Sequence, residues 1–233
     1  MNLQPVRADG AFAGGYGTSV AQRNRVLRNT YWLLALSMVP TVLGAWLGVA
    51  TGLARAMSPG VSLMVFLVGS FGLMFAIERT KNSAAGVPVL LAFTFFMGLM
   101  LSRLVGVVLG LGNGASLIMM AFAGTGAIFL GMAMLSSVIK RDLSSMGKWL
   151  FIGAIMLLVA GIANFFLKSP ALMITLSVLA IGIFSAFILH DLKRVQDGHE
   201  TNYITATLGV YLSIYNVFQS LLALFGIFGG QDE

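Results

Sequence analysis

A chain of 233 residues that is 58% hydrophobic and only 9% charged, with a mean hydropathy of +0.92, is excluded from the ordinary soluble domains. Its net charge of +6 requires no nucleic-acid partner, because it is the bias of basic residues toward the inner side of a membrane expressed as a total. The lack of cysteine removes disulfides, thiolate chemistry and iron–sulfur ligation.

The first 28 residues are polar and rich in Gly and Ala, with Gly10, Gly14, Gly15 and Gly17 close together. They read as a disordered tail (1–28) ahead of a membrane domain (29–233). They do not read as a signal peptide, since the basic segment lies too far from the start. A helix needs about 20 apolar residues to cross the hydrocarbon core. Such runs are predicted at Tyr31–Leu53, Val61–Ile77, Val87–Leu109, Ala115–Val138, Trp149–Leu167, Ala171–His190 and Tyr203–Phe228. Charged or glycine-rich punctuation separates them, and the fold class is all-α, a polytopic bundle of seven transmembrane helices.

Orientation follows from Lys and Arg. Eleven of the fourteen fall in the tail and the second-third, fourth-fifth and sixth-seventh connections, while Arg55 and Lys168 lie on the other side and Arg103 within the third span. The N-terminus is expected in the cytoplasm and the C-terminus outside.

Small residues recur every four positions at Gly44, Gly48 and Gly52, at Ser102, Gly106 and Gly110, and at Ala123, Ala127 and Gly131. In lipid such faces let helices approach closely. A glycine-lined conduit is the alternative. The last span differs, because Ser213, Asn216, Gln219 and Ser220 place polarity on one side, near Tyr211 and Tyr215. Unpaired amides facing lipid are costly, so this helix is expected inside the bundle. Its stripe is either a hydrogen-bonded seam or a path for solvent or ions.

Several ionisable residues are candidates. Arg103 either snorkels outward or pairs within the bundle. Asp191, beside His190, is either solvated or a half-buried carboxylate that switches with pH, with Glu78 and Arg79 on the same side to supply counter-charge. His190, Asp191, Asp197, His199 and Glu200 lack a repeating ligand pattern, and no tight metal site is expected of them. No metalloprotease motif, phosphate loop or dinucleotide fingerprint occurs. The seventh span has no lysine for a retinal Schiff base, and Ser213 has no nearby general base. An enzyme is not expected.

Phe187-Ile-Leu-His-Asp191-Leu, Tyr203-Ile, Leu208-Gly-Val-Tyr-Leu-Ser-Ile-Tyr-Asn-Val-Phe218 and Leu224-Phe-Gly-Ile227 resemble the end of span six and the last helix of the Bax-inhibitor/YccA family. Lys140-Arg-Asp-Leu143 and Ala92-Phe-Thr-Phe-Phe-Met-Gly98 extend the resemblance over all but the first 20 or so residues. It implies six helices around a central C-terminal seventh. In the calcium-leak branch, two aspartates share a proton and couple to an arginine near the inner end of span two. Asp191 matches the first aspartate and Arg79 the arginine, but Ser213 stands at the second position. Two close carboxylates cannot both ionise cheaply, so this chain is expected to respond to pH more weakly. Serine could also donate a hydrogen bond to Asp191.

The last helix is more similar to the proteobacterial YccA branch, which implies an inner-membrane modulator of the membrane-anchored ATP-dependent protease FtsH. The unfolded tail would serve that motor as a handle. The alternative is a pH-sensitive calcium or other cation leak built on Asp191, Arg79 and the stripe from Ser213. No cofactor is expected beyond transient calcium, and no nucleic acid.

Overall fold

A computed structural model describes residues 19–229. Among them there are eight helices and no strand: α1 (Val20–Thr51), α2 (Leu53–Ala56), α3 (Pro59–Thr80), α4 (Gly86–Val108), α5 (Gly114–Val138), α6 (Met146–Leu167), α7 (Pro170–Gln196) and α8 (Tyr203–Gly229). All but the short α2 are long and apolar enough to cross a membrane, which gives the seven expected spans. Local chemistry sets several boundaries. The Ser58 and Ser169 hydroxyls accept from the N–H groups of Val61 and Leu172, with Pro59 and Pro170 at the first helical position. Gly52 ends α1 in the left-handed conformation, φ 65°, where its own N–H reaches Val49 O.

Two boundaries differ from expectation. Residues 1–18 of the predicted disordered tail lie outside the described residues, but α1 begins at Val20 rather than Tyr31. At 32 residues α1 is about 48 Å long, more than the roughly 30 Å of hydrocarbon requires. Its first turns are held by tertiary packing, since Val26 is buried with Val195 of α7 and Ala206 of α8. The Arg23 guanidinium donates to Gln196 O at 3.3 Å. Helix α7 likewise continues past His190 to Gln196, so Asp191 lies within the helix rather than at its end. Buried Leu192 and Val195 and the Lys193–Asp197 pair at 2.7 Å carry it onward.

Helix α8 lies in the interior and touches α1, α3, α4, α5 and α7, whereas α6 packs on α7. The main core gathers Leu33 and Leu34 of α1, Ile77 of α3, Leu90, Phe93 and Met97 of α4, Ile188 and Leu192 of α7, and Val210, Tyr211 and Val217 of α8. The closest seam joins α1 to α4. A side chain added at Gly44 or Gly98 would collide with the backbone of Phe95 or Thr41 across it, and one at Gly48 with Ser102. Gly44, Gly48 and Ser102 belong to the expected small-residue faces, and Gly98 extends the α4 face one turn earlier. Gly52, also expected there, instead caps the helix, and Gly110 lies exposed in the α4–α5 turn. Ala123, Ala127 and Gly131 of α5 face outward. The opposite side of α5 packs instead, with Ala121 fully buried and Gly124 next to Leu221 of α8.

Six interior hydroxyls bond within their own helices. Thr30, Ser37, Thr125, Ser177, Ser185 and Ser213 each donate to the carbonyl four residues earlier. In hydrocarbon this lets a small polar residue sit at a packing face at little cost.

Candidate functional site

The basic residues of three connections and of the start of α1 gather at one end of the bundle, where the connection between α7 and α8 acts as a hub. Asn202 Nδ2 donates to Lys81 O at 3.1 Å and to Asn82 Oδ1 at 2.9 Å, tying in the α3–α4 turn. Gln196 Nε2 donates to Ser136 Oγ of α5 at 2.9 Å. Beside this hub a cavity of 490 Å³ opens between α6 and α7, lined among others by Lys148, Phe187, His190, Asp191, Arg194 and His199.

His190 and Asp191 form the polar floor of that cavity. Their side chains are 8% and 16% exposed, and His190 Nδ1 stands 3.1 Å from Asp191 Oδ1. Two glycines make room for the pair. A methyl at Gly147 of α6 would come within 2.8 Å of His190 Nε2, and one at Gly209 of α8 within 2.8 Å of Asp191 Oδ2. The carboxylate is therefore pressed against the backbone of the central helix, open to the cavity along one edge. Its side chain is half-buried.

The other residues singled out in sequence do not gather around it. Ser213 is buried one turn beyond Gly209, but its hydroxyl donates to Gly209 O at 3.1 Å rather than to Asp191. Glu78 is exposed and pairs with Lys81 in its own turn. The Arg79 guanidinium lies 5.0 Å over the Phe75 ring on the outside of α3, and among the described residues no carboxylate pairs with it. Asn216 donates to Leu212 O at 2.8 Å on its own helix, and Gln219 is exposed. Arg103 is half-buried near the end of α4 and forms no ion pair among the described residues.

The tyrosines of α8 make the contacts between helices. Tyr211 OH lies 2.9 Å from Thr41 Oγ1 of α1 and donates at 3.4 Å to Thr94 O of α4, while Tyr215 OH donates to Met97 O at 3.2 Å. Phenols thus make the side-chain bonds from this stretch of α8 to α1 and α4, while the Asn216 amide bonds to its own helix.

The acidic and histidine residues after α7 also sort differently. Arg194 stands 3.9 Å from Glu200, and Asp197 takes Lys193. Asp142, between α5 and α6, accepts from both the hydroxyl and the backbone N–H of Ser144, at 2.6 and 2.8 Å. These bonds, with His199 and Lys193 nearby, hold its carboxyl below the usual carboxylate range. In the sequence Asp142 stands out only as part of the Lys140–Leu143 motif. Nothing in its sequence neighbourhood marks it as facing Asp197 and His199.

Comparison with known proteins agrees with this architecture. The family described as inhibitor of apoptosis-promoting Bax1 matches residues 23–230. The chain is 37% identical over 215 residues to the Escherichia coli modulator of FtsH protease YccA, covering 92% of this chain and 95% of that one. The same protein in another E. coli strain is named inner membrane protein YccA. An uncharacterized membrane protein of Vibrio cholerae is 36% identical over 211 residues, covering 91% and 93% of the two chains. An uncharacterized protein of Pseudomonas aeruginosa is 38% identical over 208 residues, covering 89% and 91%. With a match running through all seven spans, the chain is a membrane protein of the Bax inhibitor family.

Proposed function

We propose that this protein binds and modulates the membrane-anchored ATP-dependent protease FtsH from within the inner membrane, without enzymatic activity of its own. The observation that carries this reading is the end-to-end similarity to the E. coli protein named for that modulation. The gathering of basic residues at one end of the bundle supports a cytoplasmic location for the N-terminus and that end. Residues 1–18, polar and glycine-rich in sequence, would then precede α1 on the side where a pulling motor works. The bundle supplies resistance, because extracting α8 means parting it from α1, α4, α5 and α7 together.

The test uses purified FtsH reconstituted with the full chain or with a form lacking residues 1–18. The full chain is expected to co-purify with the protease, to be degraded slowly, and to delay degradation of a second membrane substrate. The truncated form is expected to do none of these. Degradation at an unchanged rate after truncation would defeat the handle, and failure of the full chain to co-purify would defeat the reading as a whole.

A second reading, a pH-sensitive leak for calcium or other cations, is favoured by one feature: the half-buried Asp191 carboxylate, set between a cavity and the backbone of the central helix. Calcium flux into liposomes over a pH series distinguishes it. Flux lost in Asp191→Asn supports the leak. Flux that appears only in Ser213→Asp means that serine at this position has switched the leak off.

A further inference from the structure

At the rim of the cavity, side chains from two connections converge. Asp142 comes from the segment between α5 and α6, and Asp197 and His199 come from the end of α7 and the segment after it. One donor atom of each lies within 4.8 Å of the other two. We propose that Asp142, Asp197 and His199 form a binding site for a divalent transition-metal ion, zinc above all, which ties these two connections together. This goes beyond the protease reading and stands or falls independently of it.

The donor set selects the class of ion. Two carboxylates with an imidazole nitrogen suit zinc or manganese, whereas calcium and magnesium take oxygen ligands. The spacing is that of a site poised to close. Donors bound at about 2.1 Å in a tetrahedron stand roughly 3.4 Å apart, so closure from 4.8 Å asks for shifts on the order of 1 Å. Asp142 and His199 are exposed side chains on connecting segments and can rotate by that much. Asp142 is already oriented, because both Ser144 donors converge on Oδ1 and leave Oδ2 for a metal. The Ser144 hydroxyl also lies 3.5 Å from His199 Nδ1.

The same spot carries a competitor. Lys193 Nζ lies 2.7 Å from Asp197 Oδ1 and supplies a single charge where two carboxylates approach each other. A dication would satisfy both carboxylates, and Lys193 would turn to solvent. Ser144 and His199 also line the cavity above His190 and Asp191, so a bound ion would fix the rim over that pair.

The experiment is calorimetric titration of tag-free, full-length protein in detergent, stripped of metal by chelator and exchanged into fresh buffer, with zinc chloride. Manganese and calcium chlorides are titrated in parallel. One equivalent of zinc is expected to bind, at least tenfold more tightly than calcium. His199→Ala and Asp142→Asn are each expected to weaken zinc at least tenfold, and Lys193→Ala to bind it as tightly as the unmodified chain or more so. The Lys193 variant keeps every ligand and so guards against a loss caused by misfolding. The proposal is overturned by the absence of a stoichiometric zinc event, by equal affinity for calcium, by unchanged binding in the His199 and Asp142 variants, or by weakened binding in Lys193→Ala.

Discussion

Helices α6 and α8 are both long enough to span the bilayer, yet they have opposite fates. Helix α6 is the more apolar of the two and has no buried residue, while α8 carries tyrosines, serines and Asn216 and has half of its most apolar stretch buried. In water the more apolar helix would occupy the centre. In lipid the ranking reverses, because hydrocarbon solvates Leu and Phe as well as a protein interior does. What draws a helix inward is polar groups that lipid cannot satisfy and small residues that permit close packing. Trp149 and Phe166, 75% and 73% exposed, leave both ends of α6 open at the surface of the bundle.

The sharpest way to break this comparison is to truncate one side chain in each helix. Leu222→Ala empties a fully buried position in α8 and is expected to cost about 2–4 kcal/mol. Phe166→Ala in α6 is expected to stay within about 0.5 kcal/mol. Reversible unfolding in mixed micelles measures both, and similar losses would mean that α6 has a protein neighbour in the membrane. Next come the phenols: Tyr211→Phe and Tyr215→Phe each remove bonds to another helix and should cost about 0.6 kcal/mol, at most about 1.7, in the same assay.

Asn216→Leu is expected to stay within about 0.5 kcal/mol, because its amide bonds only to its own helix. A loss as large as that of the tyrosines would show that the amide has a partner across the bundle. The smallest effect lies outside both helices, in the segment leading into α6. Ser144→Ala should raise the Asp142 pKa toward an ordinary carboxylate, as read by a carbon-13 carboxyl titration. A carboxyl lowered in the folded state stabilises the fold above its unfolded value of about 3.9, and that contribution is lost as pH falls through the folded value. The variant should therefore lose this acid-side dependence, and an unmoved titration would discount the Ser144 bonds.

The spans themselves were legible in sequence because a membrane imposes a length and punishes charge. The ends were less so. Val20–Arg28 reads as polar tail because its composition hides the helix start; Ser19 capping Gln22 N–H is the one local mark, and the packing of Val26 on Val195 and Ala206 comes from distant segments. Four-residue spacing of small residues was equally visible in α1, α4 and α5, but only the first two faces pack. Spacing tells that a smooth face exists, not which side of the helix a neighbour takes. At the site, the His190–Asp191 pair is plain from adjacency. Gly147 and Gly209, which make room for it, come from distant segments and carry no local mark. Arg79 and Glu78 were placed at the correct end by their position in the chain, but the rotation of α3 turns them outward, to Phe75 and Lys81.

The position of α8 also bears on how the molecule is made. The α1–α4 seam has been synthesised once the ribosome passes Val108, yet the helix that fills the middle ends only at Gly229. At ~5–20 residues per second that interval is on the order of 6–24 s. Throughout it the earlier helices stand in the bilayer around an unfilled axis, with Thr41 still without the phenol it will meet. A nascent chain stalled in that interval is an arch without its keystone, and its vacant centre is what distinguishes it from the finished protein.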